Sequence, residues 1–224
     1  MLFPISRKIV ILLALLIYLP VVTFAQSAKE NNSLDEKVRT FLENHSNKWT
    51  DLNIPASDGK FIYDLIIQNN YKSVLEIGTS TGHSAIWMAW ALSKTGGKLI
   101  TIEIDEKRYK QALANFKEAG LLEFIDARLA NAHKLVPQLK GPFDFVFCDA
   151  DKQWYKKYFM DISPKIRIGG CFIGHNVSNF GRTRITSRGG TTRDFYNYVK
   201  SLPNYETSVN TQGGGMSISY KRSE

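Results

Sequence analysis

Short apolar runs alternate with amphipathic stretches along most of the chain, and each pattern predicts one kind of element. Strands are predicted over 74–77, 98–103, 124–129, 143–149 and 171–174. Helices are predicted over 34–49, from Ser57 or Asp58 as N-cap to Ile67, and over 85–92, 106–119, 134–139, 154–162 and 192–202. This alternation predicts a doubly wound, mostly parallel α/β sheet, to which a C-terminal hairpin over 205–211 and 216–221 adds antiparallel strands.

A glycine turn follows the first predicted strand, in the stretch K-S-V-L-E-I-G-T-S-T-G over 72–82. A strand, a glycine turn and a helix present free backbone N–H groups to a ligand at the helix N-terminus. The spacing of Gly78 and Gly82 does not fit the G-x-G-x-x-G dinucleotide fingerprint, and no phosphate-loop motif follows. An ordinary βα turn is the alternative. Glu76 lies where a core residue is expected, so its carboxylate needs a partner.

The first 25 residues differ from the rest of the chain. Arg7 and Lys8 precede an apolar run over 9–24, and small residues at 23–25 come before Gln26. This is the layout of a secretory signal peptide cleaved after Ala25, which predicts export to the periplasm or the medium. Residues 26–33 are then a flexible tether and 34–224 the folded domain. The alternative is an uncleaved membrane anchor over 9–25.

Composition and charge narrow the class of protein. The 224 residues are 43% hydrophobic, which supports one globular domain and excludes a disordered chain. Without residues 1–25, 27 basic residues face 21 acidic ones, but no run of five basic residues occurs, so nucleic acid is not the expected partner. Cys148 and Cys171 lie in predicted strands and are expected to be buried and unpaired.

Polar residues follow the predicted strands at their carboxyl ends. In open parallel sheets this edge is where ligands bind. Glu103 ends the second strand, 21 residues beyond Gly82, where a carboxylate can accept hydrogen bonds from ribose hydroxyls. The later strands end at Asn131, at Asp149 and at His175 with Asn176. The sequence therefore predicts a ligand site at this edge.

Three motifs carry a resemblance to a known family. They are V-L-E-I-G-T-S-T-G-H-S over 74–84, T-I-E-I-D over 101–105 and G-P-F-D-F-V-F-C-D-A-D-K over 141–152. Together they resemble the cation-dependent class I O-methyltransferases, the family that includes the caffeoyl-CoA and catechol O-methyltransferases. The resemblance covers about residues 35–222. It implies a Rossmann-like fold, S-adenosylmethionine (SAM) as methyl donor, a small catechol-like hydroxylated acceptor, a divalent cation and a homodimer.

The resemblance also implies roles for particular residues. Those expected to bind SAM are Glu76, Gly78, Ser84, Glu103, Asn131, Ala132 and Asp149. Lys152 and Asp149 are the expected catalytic residues, with Lys152 beside the acceptor hydroxyl. Asp149, His175 and Asn176 are the expected metal ligands, and the ion would lower the pKa of the acceptor hydroxyl.

One departure from the family concerns the metal. The family usually has Asp where this chain has His175, and imidazole favours Mn²⁺, Fe²⁺ or Zn²⁺ over Mg²⁺. Loss of the metal is the alternative.

Two other functions stay open. SAM is made in the cytosol, so an exported chain could be a SAM-binding protein with little catalysis. A chain that is not exported could methylate a hydroxylated tRNA base. Arg182, Arg184 and Arg188 lie in a loop over 177–190 that is expected to cover the acceptor.

Overall fold

A seven-stranded sheet forms the centre of the computed structural model, which describes residues 32–177 and 191–224. The strands are β1 (Ser73–Ile77), β2 (Lys98–Glu103), β3 (Ile125–Leu129), β4 (Phe143–Cys148), β5 (Ile166–His175), β6 (Tyr205–Asn210) and β7 (Met216–Lys221). Their order is β3-β2-β1-β4-β5-β7-β6. Strands β1 to β5 are parallel, and β7 runs antiparallel to both β5 and β6. The predicted sheet and hairpin are confirmed.

Helices cover both faces of the sheet. They are α1 (32–44), α2 (Ala56–Gln68), α3 (His83–Thr95), α4 (Glu106–Ala119), α5 (Ala132–Leu135), α6 (Tyr155–Ile162) and α7 (Thr192–Lys200). Alternate residues of β4 enter different cores: Phe145 and Phe147 pack with α2 and α3, whereas Val146 and Cys148 pack with α6 and α7. Because both of its faces are buried, β4 is apolar except for Asp144.

Local signals set the ends of α4 as predicted. The Asp105 side chain accepts a hydrogen bond from the Arg108 backbone N–H, which caps the first turn. Gly120 ends the helix with φ of +77°, a left-handed conformation that glycine adopts without strain.

Several predicted boundaries are wrong, including those of the helix predicted over 134–139, where α5 spans Ala132–Leu135. The first helix spans 32–44, so it begins within the predicted tether and ends before Trp49. The N-cap of α2 is Pro55, and Asp58 lies inside the helix, with its side chain directed to another element. Strand β5 is continuous through Gly169 and Gly170, because these glycines form a bulge rather than a turn.

Several predictions fall partly or wholly outside the described residues. The signal peptide over 1–25 does so, as do Arg182, Arg184 and Arg188. Within 32–177 and 191–224, no helix has both the length and the apolar character needed to span a membrane. Cys148 and Cys171 are buried and unpaired, as predicted.

Candidate functional site

A cavity of about 320 Å³ opens at the carboxyl ends of β1 to β4. Five of the residues expected to bind SAM line this cavity: Gly78, Glu103, Asn131, Ala132 and Asp149. The strand order brings them together, because the strands that they follow are neighbours in the sheet. The sequence therefore located this edge of the sheet correctly from the residues that follow each strand.

The turn after β1 lies against the end of β4. Gly78 has φ of +99°, and a Cβ atom on it would lie 2.7 Å from the Asp149 carbonyl oxygen. Only glycine permits both this conformation and this approach. Farther along the same turn, the Ser80 backbone N–H points at the neighbouring strand and donates to Glu103 Oε2 at 2.7 Å.

Glu103 presents a fixed carboxylate to the cavity. Besides the Ser80 bond, its Oε1 atom accepts from the backbone N–H groups of Ile104 and Asp105 at 3.0 and 2.9 Å. A carboxylate has about four lone-pair positions, so these three bonds leave room for a ligand hydroxyl. These hydrogen bonds hold the Glu103 carboxylate in one orientation, which suits the recognition of a sugar hydroxyl.

Aromatic rings border the cavity beyond β3. Asn131 caps α5 by accepting from the His133 backbone N–H at 2.9 Å. The His133 ring stacks on Trp154 with a centroid distance of 3.6 Å, and Tyr158 lies beside them. His133 and Tyr158 line the cavity and give it an aromatic wall that suits a flat ligand ring.

Glu76 and Ser84 lie beneath the glycine turn and do not line this cavity. Glu76 is fully buried and accepts hydrogen bonds from the Ser84 hydroxyl and, at 2.5 Å, from the Thr101 hydroxyl. Burial raises the pKa of Glu76 to about 8, although these two hydrogen bonds act in the opposite direction. The hydrogen-bond partners that the buried Glu76 requires are therefore the hydroxyls of Ser84 and Thr101 within the protein. Contact of Glu76 or Ser84 with SAM stays a prediction.

Four charged side chains form a row beside the cavity. Lys152 Nζ donates to Asp149 Oδ1 and, at 2.7 Å, to the Tyr155 hydroxyl. The Asp149 Oδ2 atom lies 2.9 Å from His175 Nδ1. On the far side of the ring, His175 Nε2 lies 2.9 Å from Asp58 Oδ2. We call Lys152, Asp149, His175 and Asp58 the charge row.

The charge row changes the acidity of its members. Burial alone would raise the pKa of Asp149, but the His175 hydrogen bond and the Lys152 charge hold it below its usual value. Burial alone would lower the pKa of His175, but its contacts with Asp149 and Asp58 raise it above its usual value. Both shifts favour the charged forms, as expected for ion pairs.

The three expected metal ligands are only partly together. Asp149 and His175 are in contact, but the Asn176 side chain is exposed and its amide nitrogen lies 3.4 Å from the Gly214 carbonyl oxygen. Among the residues that the structure describes, no group of three His, Cys, Asp or Glu side chains is arranged to hold a metal ion. The metal set stays a prediction from the resemblance.

Sequence reasoning missed Asp58 and Tyr155. Asp58 resembled a helix cap, and nothing near it in the chain points to a residue 117 positions away. The glycine run over 213–215 was a signal, because a Cβ atom on Gly214 would lie 2.3 Å from His175 Nε2.

Comparison with known proteins identifies the family. A family model described as O-methyltransferase matches residues 24–218. A catechol O-methyltransferase of Niastella koreensis is 38% identical over 135 residues, which cover 58% of this chain and 61% of that protein. Caffeoyl-CoA O-methyltransferase 1 of Eucalyptus globulus is 29% identical over 159 residues, which cover 69% of this chain and 64% of that protein. Each match thus spans less than two thirds of the relative's length.

The fold has a matching solved structure. The O-methyltransferase from Bacillus cereus in complex with SAH is 28% identical, with a TM-score of 0.72. The superposition covers 84% of this chain and 91% of that one. Family match, sequence relatives and fold agree with the resemblance seen in the motifs. The chain belongs to the O-methyltransferase family.

Proposed function

We propose that this chain transfers the methyl group of SAM to a hydroxyl of a small, catechol-like acceptor. The observation that carries the proposal is the Glu103 carboxylate, which three backbone N–H groups hold at the cavity. The family match and the solved relative in complex with SAH support the same ligand. The names of the sequence relatives support the acceptor class.

The residues around the cavity have distinct tasks in this reaction. Glu103 accepts a hydrogen bond from a ribose hydroxyl, and the aromatic wall of His133 and Tyr158 holds the adenine. Gly78 lets the turn after β1 pack against the end of β4, beside Asp149, at the edge of the cavity. Holding donor and acceptor in line in this way supplies much of the rate of a methyl transfer.

Lys152 acts on the acceptor oxygen. A lone pair of that oxygen forms the new O–CH₃ bond while the S–CH₃ bond breaks and its electrons return to sulfur. The hydroxyl proton leaves to water, and the Lys152 ammonium stabilises the negative oxygen before it is methylated. The products are a methyl ether and the demethylated thioether.

A divalent cation is the finer expectation from the resemblance, with Asp149, His175 and Asn176 as ligands. The donor set does not fit such an ion, because Asp149 and His175 already use their polar atoms on protein partners. No step of the proposed reaction therefore passes through a metal.

Export of the chain and a homodimer stay predictions.

The test is a methyl-transfer assay with methyl-labelled SAM and catechol, in which mass spectrometry detects the methyl ether. We expect product with the wild-type chain and a much lower yield with Glu103→Gln. Glu106→Gln is the matched control, because Glu106 is an exposed acid of α4 that pairs with Lys110. SAM binding without methyl transfer to any hydroxylated acceptor would favour the alternative of a SAM-binding protein.

A further inference from the structure

Both ring nitrogens of His175 face carboxylate oxygens, each at 2.9 Å. A neutral imidazole has one N–H donor and one lone pair, so it can donate to only one of two carboxylates. The other contact would then set a lone pair against a negative oxygen. Whichever nitrogen carries the hydrogen, both ring nitrogens are already engaged by protein carboxylates, and neither is left for a metal ion.

The Asp149 carboxylate is engaged on its other side as well. Its Oδ1 atom accepts from Lys152 Nζ, which is itself held by the Tyr155 hydroxyl at 2.7 Å. Tyr155 is fully buried, and its hydroxyl donates to the His175 carbonyl oxygen at 3.2 Å. Lys152 is thus fixed from two directions, and each Asp149 oxygen has a cationic partner.

Each acid of the charge row already has basic partners. Asp149 lies between Lys152 and His175, and Asp58 lies against the other ring nitrogen of His175. Asp151, two residues beyond Asp149 in the chain, lies 3.5 Å from the His133 ring instead. A divalent ion at Asp149 would have to displace Lys152 or His175, because each carboxylate oxygen of Asp149 already has a partner.

Asp58 is built into this arrangement. Its side chain is 2% exposed, and its Oδ2 atom also accepts from the Gly214 backbone N–H at 2.8 Å. A Cβ atom on Gly213 would lie 1.7 Å from Asp58 Oδ1, and one on Gly214 would lie 2.3 Å from His175 Nε2. The glycine run lets the loop before β7 close on the Asp58–His175 pair, which fixes the ring against Asp149.

We infer that Lys152 and His175 stand where the resemblance expects a divalent cation, and that methyl transfer by this chain needs no metal ion. The second half rests on the proposed function, whereas the first half concerns only the site. Lys152 is the most exposed of these three members of the row, with 37% of its side chain exposed, against 14% for Asp149 and 4% for His175. His175 is a positioning residue, which holds Asp149 and through it Lys152.

A metal-binding titration tests the site without any turnover. Mn²⁺ is added to the full chain after treatment with EDTA and removal of the chelator, and electron paramagnetic resonance follows the free ion. We expect the wild-type chain to leave the free-ion signal at its buffer value. Uptake of one Mn²⁺ per chain, lost in Asp149→Asn, would overturn the inference.

His175→Asp is the matched variant. It replaces the ring with a carboxylate between Asp149 and Asp58, and three carboxylate donors suit Mn²⁺ and Mg²⁺. We expect this variant to take up Mn²⁺ that the wild-type chain does not, with circular dichroism confirming that it is folded. The wild-type titration decides the inference even if the variant does not fold.

The methyl-transfer assay provides the second readout. With EDTA present, we expect the wild-type rate to stay within about twofold of the rate with Mg²⁺, Mn²⁺ or Zn²⁺. A loss of about tenfold or more in EDTA, restored by one of these ions, would contradict metal-free transfer. If no methyl ether forms under any condition and SAM does not bind, the proposed function fails, while the Mn²⁺ titration still decides whether the site takes a metal.

Discussion

Asp58 and His175 are 117 residues apart in the chain, yet their side chains meet at 2.9 Å in the interior. Asp58 lies in the first turn of α2, and His175 is the last residue of β5. The Gly214 backbone N–H joins them by donating to Asp58. This pair connects the first part of the domain to the strand ends where the candidate site lies.

Removing the Asp58 charge should destabilise the fold. Asp58→Asn leaves His175 with one carboxylate partner, and loss of one member of a buried ion pair costs about 3 kcal/mol. Urea unfolding followed by circular dichroism measures the change in unfolding free energy. Asp64→Asn is the control on the same helix, because Asp64 pairs with Lys60 on the exposed face and such pairs contribute about 0.5 kcal/mol. Equal losses of unfolding free energy in the two variants would show that the buried Asp58–His175 pair contributes no more to stability than the exposed Asp64–Lys60 pair.

Lys152→Met should reduce turnover rather than SAM binding. The ammonium is placed to stabilise the negative acceptor oxygen, and removing one such group costs about 100-fold in kcat. Chromatography of the methyl ether gives kcat, and calorimetry gives the Kd for SAM. Lys157→Met is the control, since Lys157 pairs with Asp161 on the surface. An unchanged kcat in Lys152→Met would remove this lysine from the mechanism.

Glu76→Gln should make stability less sensitive to alkali. Burial raises the pKa of Glu76 to about 8, so the folded protein retains a proton that the unfolded chain loses above about pH 4.5. Between these values the unfolded chain binds fewer protons, and stability therefore falls as pH rises, by on the order of 3 kcal/mol. The unfolding free energy of both proteins, measured at about pH 5 and pH 8, checks the difference. Parallel pH profiles would show that Glu76 is ionised in the fold.

His83 should contribute a pH dependence on the acid side. Its Nδ1 atom lies 2.9 Å from the Ile54 carbonyl oxygen, and its Nε2 atom accepts from Trp87 Nε1 at 3.1 Å. Burial lowers the pKa of His83 to about 4, so the unfolded chain takes up a proton first as pH falls from about 6.5. The stability from the neutral ring is complete above that value and is lost toward pH 4, by about 3 kcal/mol.

Chemical unfolding of the wild-type chain and of His83→Gln across this range measures that contribution. We expect the difference in unfolding free energy between the two proteins to shrink as pH falls from about 6.5 to 4. A constant difference would mean that the ring titrates alike in both states.

Local patterns predicted those parts of the fold that depend on neighbours in the chain. Asp105 caps the start of α4 and Gly120 ends the helix, and both signals act within the local sequence. The helix therefore has the predicted bounds. The position of Glu103 follows from the strand that it ends. Because parallel strands share one carboxyl edge, Asn131 and Asp149 were expected at the same cavity.

Contacts between distant segments could not be predicted in this way. Asp58 near the start of a helix has the sequence signature of a cap, whereas its actual partner is His175 at the end of β5. The hydrogen bond from the Ser84 hydroxyl to the buried Glu76 is a contact of this kind. The bulge at Gly169 reads as a turn, because glycine pairs mark both features.

The central claim is that the cavity at Glu103 binds SAM, and calorimetric titration of the full chain with SAM tests it most directly. We predict one SAM bound per chain and an affinity weakened about tenfold or more in Glu103→Gln, because a hydrogen bond to a charged group is lost. Glu106→Gln should bind as the wild-type chain does. No binding by the wild-type chain, or equal affinities of the two Glu variants, would contradict the account.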